Sequence, residues 1–549
     1  MGSPRYYAYY ATVILSVLFV WLGWQTDPDW YWALLITAPL AGIGTWNLFQ
    51  SKHALMRNYP LTALVRFISE NVRPELRQYF FESNLSGRPF SREQRTLAYQ
   101  RAKNIEAKLP FGTETDVYDI DYRWANHSVM PTHIDPQALR VTIGGADCTQ
   151  PYNASLFNIS AMSFGALSAN AIRALNAGAA KGSFAHDTGE GGISSHHREN
   201  GGDIILEVGT GYFGCRDENG AFCPDHFTSM AADPQVKMIE LKLSQGAKPG
   251  HGGMLPGAKV TAEIAAARGV PEGVDCISPP AHSAFSTPIE MMHFIAKLRD
   301  LSGGKPVGFK LCIGHRWEFM AICKAMIETG IKPDFIVVDG AEGGTGAAPI
   351  EFSDSLGTPL RQGLNFVQNV LVGANLRDNI KLGASGKIIS AFDIAAMMSL
   401  GADWCNSARG FMFALGCVQS QSCHTNRCPV GVATQDEQRQ KALDHGNKSE
   451  RVYNFHRNTV KALAEFVSSI GLNSPTDLRP RHIYLREGTR SVLSADKALT
   501  WLEPGALFGT KVYSGYTEYW AAADAAKFDP QGEGLTQLQF GHGRDAIQP

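Results

Sequence analysis

The chain lacks an excess of charge of either sign. Among its 549 residues, 50 lysines and arginines face 52 aspartates and glutamates, a formal net charge of −2. That balance gives no ground for a nucleic-acid partner or an acidic tail. Disorder is excluded as the main state, because 44% of the residues are hydrophobic and 19% charged. The 55 glycines follow no collagen period. In a chain with a full core, such an excess points to tight loops where backbone approaches a ligand. The mean hydropathy of −0.14 is that of a soluble protein, but the average conceals one apolar end.

From Ala8 to Trp24 no residue is charged, and after a polar loop a second apolar stretch runs from Trp30 to about Phe49. Each approaches the ~20 helical residues that cross a bilayer core. Tyrosines and tryptophans, among them Tyr6, Tyr7, Trp24 and Trp30, cluster near the ends as interfacial anchors do. Arg5 precedes the pair, Lys52 and Arg57 come after it, and Asp27 and Asp29 lie between. The positive-inside rule therefore predicts both ends in the cytoplasm. A cleaved signal peptide would need a small-residue cleavage site after the first stretch, and would leave the second unexplained. Residues 1–55 are expected to form a transmembrane helical hairpin in the inner (cytoplasmic) membrane, with the rest of the chain facing the cytoplasm. Seven of the ten cysteines are scattered, several in apolar runs, which suits small core residues in a reducing compartment.

Residues 56–150 read as a helical connector that packs on the domain C-terminal to it. From 151 to 440, short apolar runs alternate with helical stretches, each run closed by a glycine-rich or polar loop. Eight such runs are expected to be strands: Leu156–Ser160, Ser183–His186, Val236–Leu243, Val274–Ile277, Val307–Leu311, Phe335–Val338, Ile380–Leu382 and Trp404–Asn406. Ile205 to Phe227 reads as a β-hairpin excursion between the second and third. Eight strand–helix repeats predict an α/β fold, a closed (β/α)8 TIM barrel with its chemistry on the loops at the C-terminal strand ends. Residues 441–549 contain helical stretches, such as Thr459–Ile470, and a polar tail with no assignment.

The last two repeats, Ala384 to Gly410, resemble the phosphate-binding loops of such barrels, with Gly386 permitting backbone approach and Ser407 and Arg409 as donors. Directly after them come Cys417, Cys423 and Cys428, the last followed by Pro429. Disulfides are disfavoured in the cytoplasm and leave an odd cysteine. Zinc wants a fourth ligand, and His424 is adjacent to Cys423, a poor spacing for a tetrahedron. An iron–sulfur cluster with three thiolates needs no further residue, and the spacing favours it. The histidines His196, His197, His226 and His315 lack metal spacing and are expected on the surface or behind the site. Trp317 and Trp404 are expected in packing roles.

The run from Asn158 to about Gln435 resembles the FMN-binding synthase domain of glutamate synthases. The matching pieces are AMSFG (Ala161–Gly165), TGEGG (Thr188–Gly192), QGAKPG (Gln245–Gly250), LPG (Leu255–Gly257), SPP (Ser278–Pro280), GGTGA (Gly343–Ala347) and CPVGVATQ (Cys428–Gln435). The anchor-plus-synthase layout resembles the membrane-associated bacterial forms of that family without an amidotransferase domain. The resemblance implies FMN, a [3Fe–4S] cluster, and hydride transfer to 2-iminoglutarate to give glutamate. It implies that Met162, Ser163, Gln245, Lys310, Gly340, Gly344, Gly386, Ser407, Ala408 and Arg409 line the FMN, with Lys310 offsetting the charge of the reduced flavin. It assigns Glu190, Lys248 and Arg268 to the 2-oxo acid, and Cys417, Cys423 and Cys428 to the cluster. Glu190, Lys248 and Lys310 are the expected catalytic residues. One departure concerns the substrate: Met254 stands where the family has a glutamine that grips 2-oxoglutarate, and methionine cannot donate a hydrogen bond.

The expected activity is reductive amination of a 2-oxo acid, 2-oxoglutarate to glutamate. Ammonia would come from solution or a separate glutaminase. No dinucleotide fingerprint opens a βαβ unit, so ferredoxin or another electron-transfer protein is the expected donor. The rival enzyme reading is an amino-acid or hydroxy-acid dehydrogenase passing electrons to a membrane carrier. A non-catalytic membrane scaffold would have no use for Lys248, Lys310 and the three cysteines.

Overall fold

The computed structural model describes residues Pro4–Gln531; the end of the expected C-terminal tail lies outside them. The chain divides into two compact units, one up to Glu93 and one from Gln94.

In the first unit, helices Tyr7–Gln25 and Leu34–Phe49 form a hairpin. With their leading turns they make two apolar helical segments, Pro4–Gln25 and Pro28–Phe49, each 22 residues and long enough to cross a membrane. Small residues let the helices close: a Cβ on Gly44 would lie 2.5 Å from the Tyr9 ring. Tyr9 Oη and Thr45 Oγ1 hydrogen-bond at 2.9 Å, and Phe19 stacks on Trp30. The apolar side chains otherwise point outward, Val17 being 67% and Trp24 78% exposed. That is the reverse of a helix pair buried in a soluble core.

The second unit is built on a closed barrel of eight parallel strands: β1 (Phe157–Ile159), β2 (His186–Asp187), β3 (Ile204–Val208), β4 (Val236–Lys242), β5 (Val307–Leu311), β6 (Phe335–Asp339), β7 (Lys381–Ser385) and β8 (Trp404–Ser407). β8 closes on β1 with Ser407 beside Ile159. The expected architecture stands, but one strand is corrected. Ile204–Val208, most of it read as the start of a hairpin excursion from Ile205, is β3, and Val236–Lys242 is therefore the fourth strand. Val274–Ile277 is outside the barrel: Cys276–Ile277 pairs antiparallel with Met254–Leu255, a two-residue ribbon within the β4–β5 connection. The physical reason is burial. All five residues of β3 are buried, whereas Ile277 is 64% exposed.

Helices pack around the barrel, several started by side-chain caps. Ser168 caps Ala169–Gly182 and Ser390 caps Ala391–Ser399, each accepting from a backbone N–H of the first turn. Helix His445–Ile470 lies along Ala169–Gly182, with Val452 in the notch left by Gly178. Trp404 is buried in the core, as expected.

Candidate functional site

Charge enters the barrel interior on four strands. Residues two apart on a strand share a face, so Glu240 and Lys242 of β4 point the same way. In register beside them stand Glu207 of β3, next to Glu240, and Lys310 of β5, next to Lys242. Asp187 of β2 completes the set, and all five are buried. Lys310 donates to Glu207 and lies 3.2 Å from Glu240. Lys242 reaches Glu207 at 3.7 Å and, above it, Glu190 at 3.0 Å. Carboxylate oxygens of Asp187, Glu207 and Glu240 lie within 4.8 Å of one another, and Lys310 supplies the cation to that set. Burial pushes Glu240 up to about 7 against the pull of Lys310, with Glu207 adding to the rise. Burial, then Glu240 and Glu207, raise Asp187 well above the carboxylate range. Both shifts favour a proton on the Asp187–Glu240 pair.

At the barrel mouth, Glu190 comes after β2 on a loop held against the loop after β1: a Cβ on Gly189 would lie 2.7 Å from the Ser163 nitrogen. Burial alone would raise Glu190, but Lys242, then Arg268 and Lys248, outweigh it and hold the carboxyl below its usual value. Glu190 is therefore an anion at neutral pH. Lys248 and Arg268 are both buried, at 4% and 3% exposure. Arg268 donates to the Phe164 carbonyl at 3.0 Å and to Ser163 Oγ at 3.3 Å, while its Nε has no partner. Among the described residues, neither Lys248 nor Arg268 has a carboxylate within 4.0 Å. Two desolvated cations beside one anion make a place for an acid. Ser278 joins them, its buried Oγ without a partner and aimed, with Glu190, at Gly253. Met254, the residue after Gly253, is half exposed on the two-residue ribbon.

On the other side of the mouth, the loops after β4, β6, β7 and β8 meet. Gly246 donates to Asp339 Oδ2 at 2.9 Å and packs so tightly that a Cβ would lie 1.7 Å from the Gly340 carbonyl; Gln245 precedes it, half-buried. Gly340 donates to the Ser385 carbonyl. Gly386 has φ +150° and lies against Gly340, a backbone shape that favours glycine. Arg409 donates to the Glu342 carbonyl at 3.1 Å, and a Cβ on Gly344 would strike its guanidinium. Burial pushes Arg409 down to about 10, although Asp339 and Glu342 oppose it; a phosphate would relieve that cost. Ser407 Oγ donates to the Ile388 carbonyl at 2.6 Å, so its hydroxyl is committed to the β7 loop. Met162, on the β1 loop, is buried.

The three cysteines lie on the segment after helix Arg409–Leu415. Cys428 is buried, and burial, then the Cys428 sulfur, raises the Cys423 thiol against the pull of Lys259. The Gln419 N–H points at Cys417 Sγ, 3.4 Å away, a contact that stabilises thiolate.

The four histidines divide between the two places expected for them. His196 and His197 are buried, His196 Nε2 lying 2.7 Å from Glu263 and His197 hydrogen-bonded to Ser194. His226 and His315 are exposed. Asp187, Glu207, Glu240, Lys242 and Lys259 were not singled out from sequence, and Ser278 was read only as part of a matching motif. A signal existed for three of them. Glu207, Glu240 and Lys242 interrupt apolar strands as Lys310 does.

Residues 124–473 match the model of the conserved region in glutamate synthase. This chain belongs to the glutamate synthase family. It is 37% identical over 491 residues to the glutamate synthase large subunit-like protein YerD of Bacillus subtilis, covering 82% of this chain and 93% of that protein. It is 34% identical over 328 residues to the archaeal glutamate synthase (NADPH) of Archaeoglobus fulgidus, and 35% over 329 to that of Methanocaldococcus jannaschii. This family member spans 61% of each archaeal relative's length. Its family-matched region holds the whole barrel and all three cysteines.

Proposed function

We propose that this chain is a membrane-anchored glutamate synthase-type oxidoreductase that reductively aminates a 2-oxo acid, with 2-oxoglutarate to glutamate as the reaction. The observation that carries the reading is the pair of buried cations, Lys248 and Arg268, beside the ionised Glu190. Two cations without carboxylates suit a substrate that brings its own. Glu190 would accept a hydrogen bond from the substrate nitrogen and exchange a proton with it. Lys242 fixes Glu190 from below, and Glu207 fixes Lys242.

FMN suits the other half of the mouth. Met162, Ser163, Gln245 and Lys310 would face its ring, while Gly340, Gly344, Gly386, Ser407, Ala408 and Arg409 would surround its phosphate. The glycine notches and the desolvated Arg409 fit that group. When bound, FMN would supply the hydride. Lys310, anchored between Glu207 and Glu240, holds positive charge inside the barrel near that position. Cys417, Cys423 and Cys428 would hold a [3Fe–4S] cluster that feeds electrons inward. Ferredoxin or another carrier protein would reduce it, and ammonia would come from solution or a separate glutaminase.

The apolar helical hairpin favours a second reading, a dehydrogenase that sends electrons to a membrane carrier. One experiment separates the two. The full chain is purified in detergent without oxygen, its flavin and iron measured, and the reduced protein offered acceptors. Reoxidation by 2-oxoglutarate with ammonia, yielding glutamate, supports the synthase. Reoxidation by a quinone alone supports the dehydrogenase, and a colourless protein removes both.

A further inference from the structure

Lys259 closes a short turn, Gly257–Lys259, directly after Pro256, and its residue is 3% exposed. Its ammonium is held by carbonyls from two different functional segments: Ala166, at 3.3 Å, on the loop after β1, and Cys423, at 3.4 Å, in the cysteine segment. The same two segments are joined twice more. Gln435 Nε2 donates to the Gly165 and Leu167 carbonyls at 3.0 and 2.9 Å, and Ser168 N–H donates to the Val432 carbonyl at 2.9 Å. The loop from Gly165 to Ser168 is thus fastened to the cysteine segment at four consecutive residues. The same loop carries Met162 and Ser163, and Ser163 receives Arg268 of the acid site. Among these fastenings Lys259 brings a full charge, set beside Cys423 and Cys428, with no carboxylate within 4.0 Å among the described residues.

A buried lysine without an acid is expensive unless something nearby is negative. Backbone carbonyls meet part of that need. A metal–thiolate group meets the rest, since three thiolates on iron leave net negative charge that a nearby cation offsets.

We propose that Lys259 is the counter-charge of the inorganic group held by Cys417, Cys423 and Cys428, and a positioning residue that ties that group to the Met162–Ser163 loop. The proposal rests on the reading that these cysteines hold an iron–sulfur cluster. A fixed positive charge beside a cluster favours its reduced form. Removing the charge therefore lowers the reduction potential.

The test is an EPR-monitored redox titration of the full chain in detergent, comparing wild type with Lys259→Met, Lys259→Arg and Gln435→Ala. For Lys259→Met, the reduction equilibrium is expected to shift at least tenfold toward the oxidised cluster, ~59 mV for a one-electron couple, at unchanged iron content. Lys259→Arg keeps the charge and is expected to titrate as wild type. Gln435→Ala removes only a neutral fastening and is also expected to leave the potential in place. An iron-replete Lys259→Met protein with the wild-type potential overturns the proposal. If that variant loses its iron, the other two decide: a tenfold shift in Lys259→Arg, or one as large in Gln435→Ala, overturns it, while wild-type values in both support it. A wild-type protein without iron refutes the cluster reading instead, so the two failures are distinguishable.

Discussion

Glu207 and Glu240 stand side by side in register on β3 and β4, both fully inside the barrel, with Lys310 bound to each. Two acids so placed repel, and Lys310 and Lys242 are what make the arrangement stable. Glu207 also reaches Lys242 and through it Glu190, so one buried carboxylate links the barrel centre to the acid site.

Glu207→Gln leaves two buried ammonium groups short of an anion. Removing one partner of a buried pair costs about 3 kcal/mol or more. Thermal unfolding is expected several degrees lower, and kcat is expected to fall more than KM rises because Glu190 loses its support. Unchanged kcat in a destabilised protein would confine Glu207 to folding.

Glu240 titrates at about 7 in the folded chain against an ordinary 4.5. A raised carboxyl binds its proton more tightly when folded. Its contribution to stability is complete below the ordinary value and is lost as pH rises through about 7. Glu240→Gln is permanently neutral and is expected to flatten the fall in melting temperature between pH 5 and pH 8. The check is melting temperature against pH for both proteins.

Lys248→Met removes one of the two cations without carboxylate partners while keeping the apolar stem. KM for the 2-oxo acid is expected to rise about tenfold to a hundredfold, the scale of a lost charged contact. Bound flavin is expected to stay at the wild-type level, read from absorbance of the desalted protein.

Gly246→Ala puts a methyl where only 1.7 Å separates it from the Gly340 carbonyl. The loops after β4 and β6 must part, so the variant is expected to lose flavin on gel filtration. Gly250→Ala, where a Cβ meets open space but φ is +70°, is expected to retain flavin at a stability cost of about 1 kcal/mol.

The barrel was legible because β-strand, loop and helix recur eight times, and loop motifs such as Thr188–Gly192 and Gln245–Gly250 fall at strand ends. The count of strands concealed one exchange. The stretch from Ile205 was read as a hairpin excursion because Glu207 breaks its apolar run and glycines come next, while Val274–Ile277 offered an apolar run whose Ile277 faces solvent. Glu190, Lys248 and Arg268 were readable as a group from the family motifs, and the structure brings them together. Lys242 and Glu240 were not, because a charged residue inside a strand declares itself only when its neighbours on adjacent strands are known. Lys259 and Gln435 act through carbonyls of distant loops, which no local pattern records.

The fastening of Gly165–Ser168 to the cysteine segment limits how small a working piece of this chain can be. A fragment ending at Leu415 would contain all eight strands yet lose Cys423, Val432 and Gln435, and with them every tie between the cysteine segment and the loop that carries Met162 and Ser163. Ending at Gln435 would restore them but would empty the notch at Gly178 that Val452 fills. A self-sufficient catalytic body therefore extends at least through the helix His445–Ile470, well beyond the last strand of the barrel.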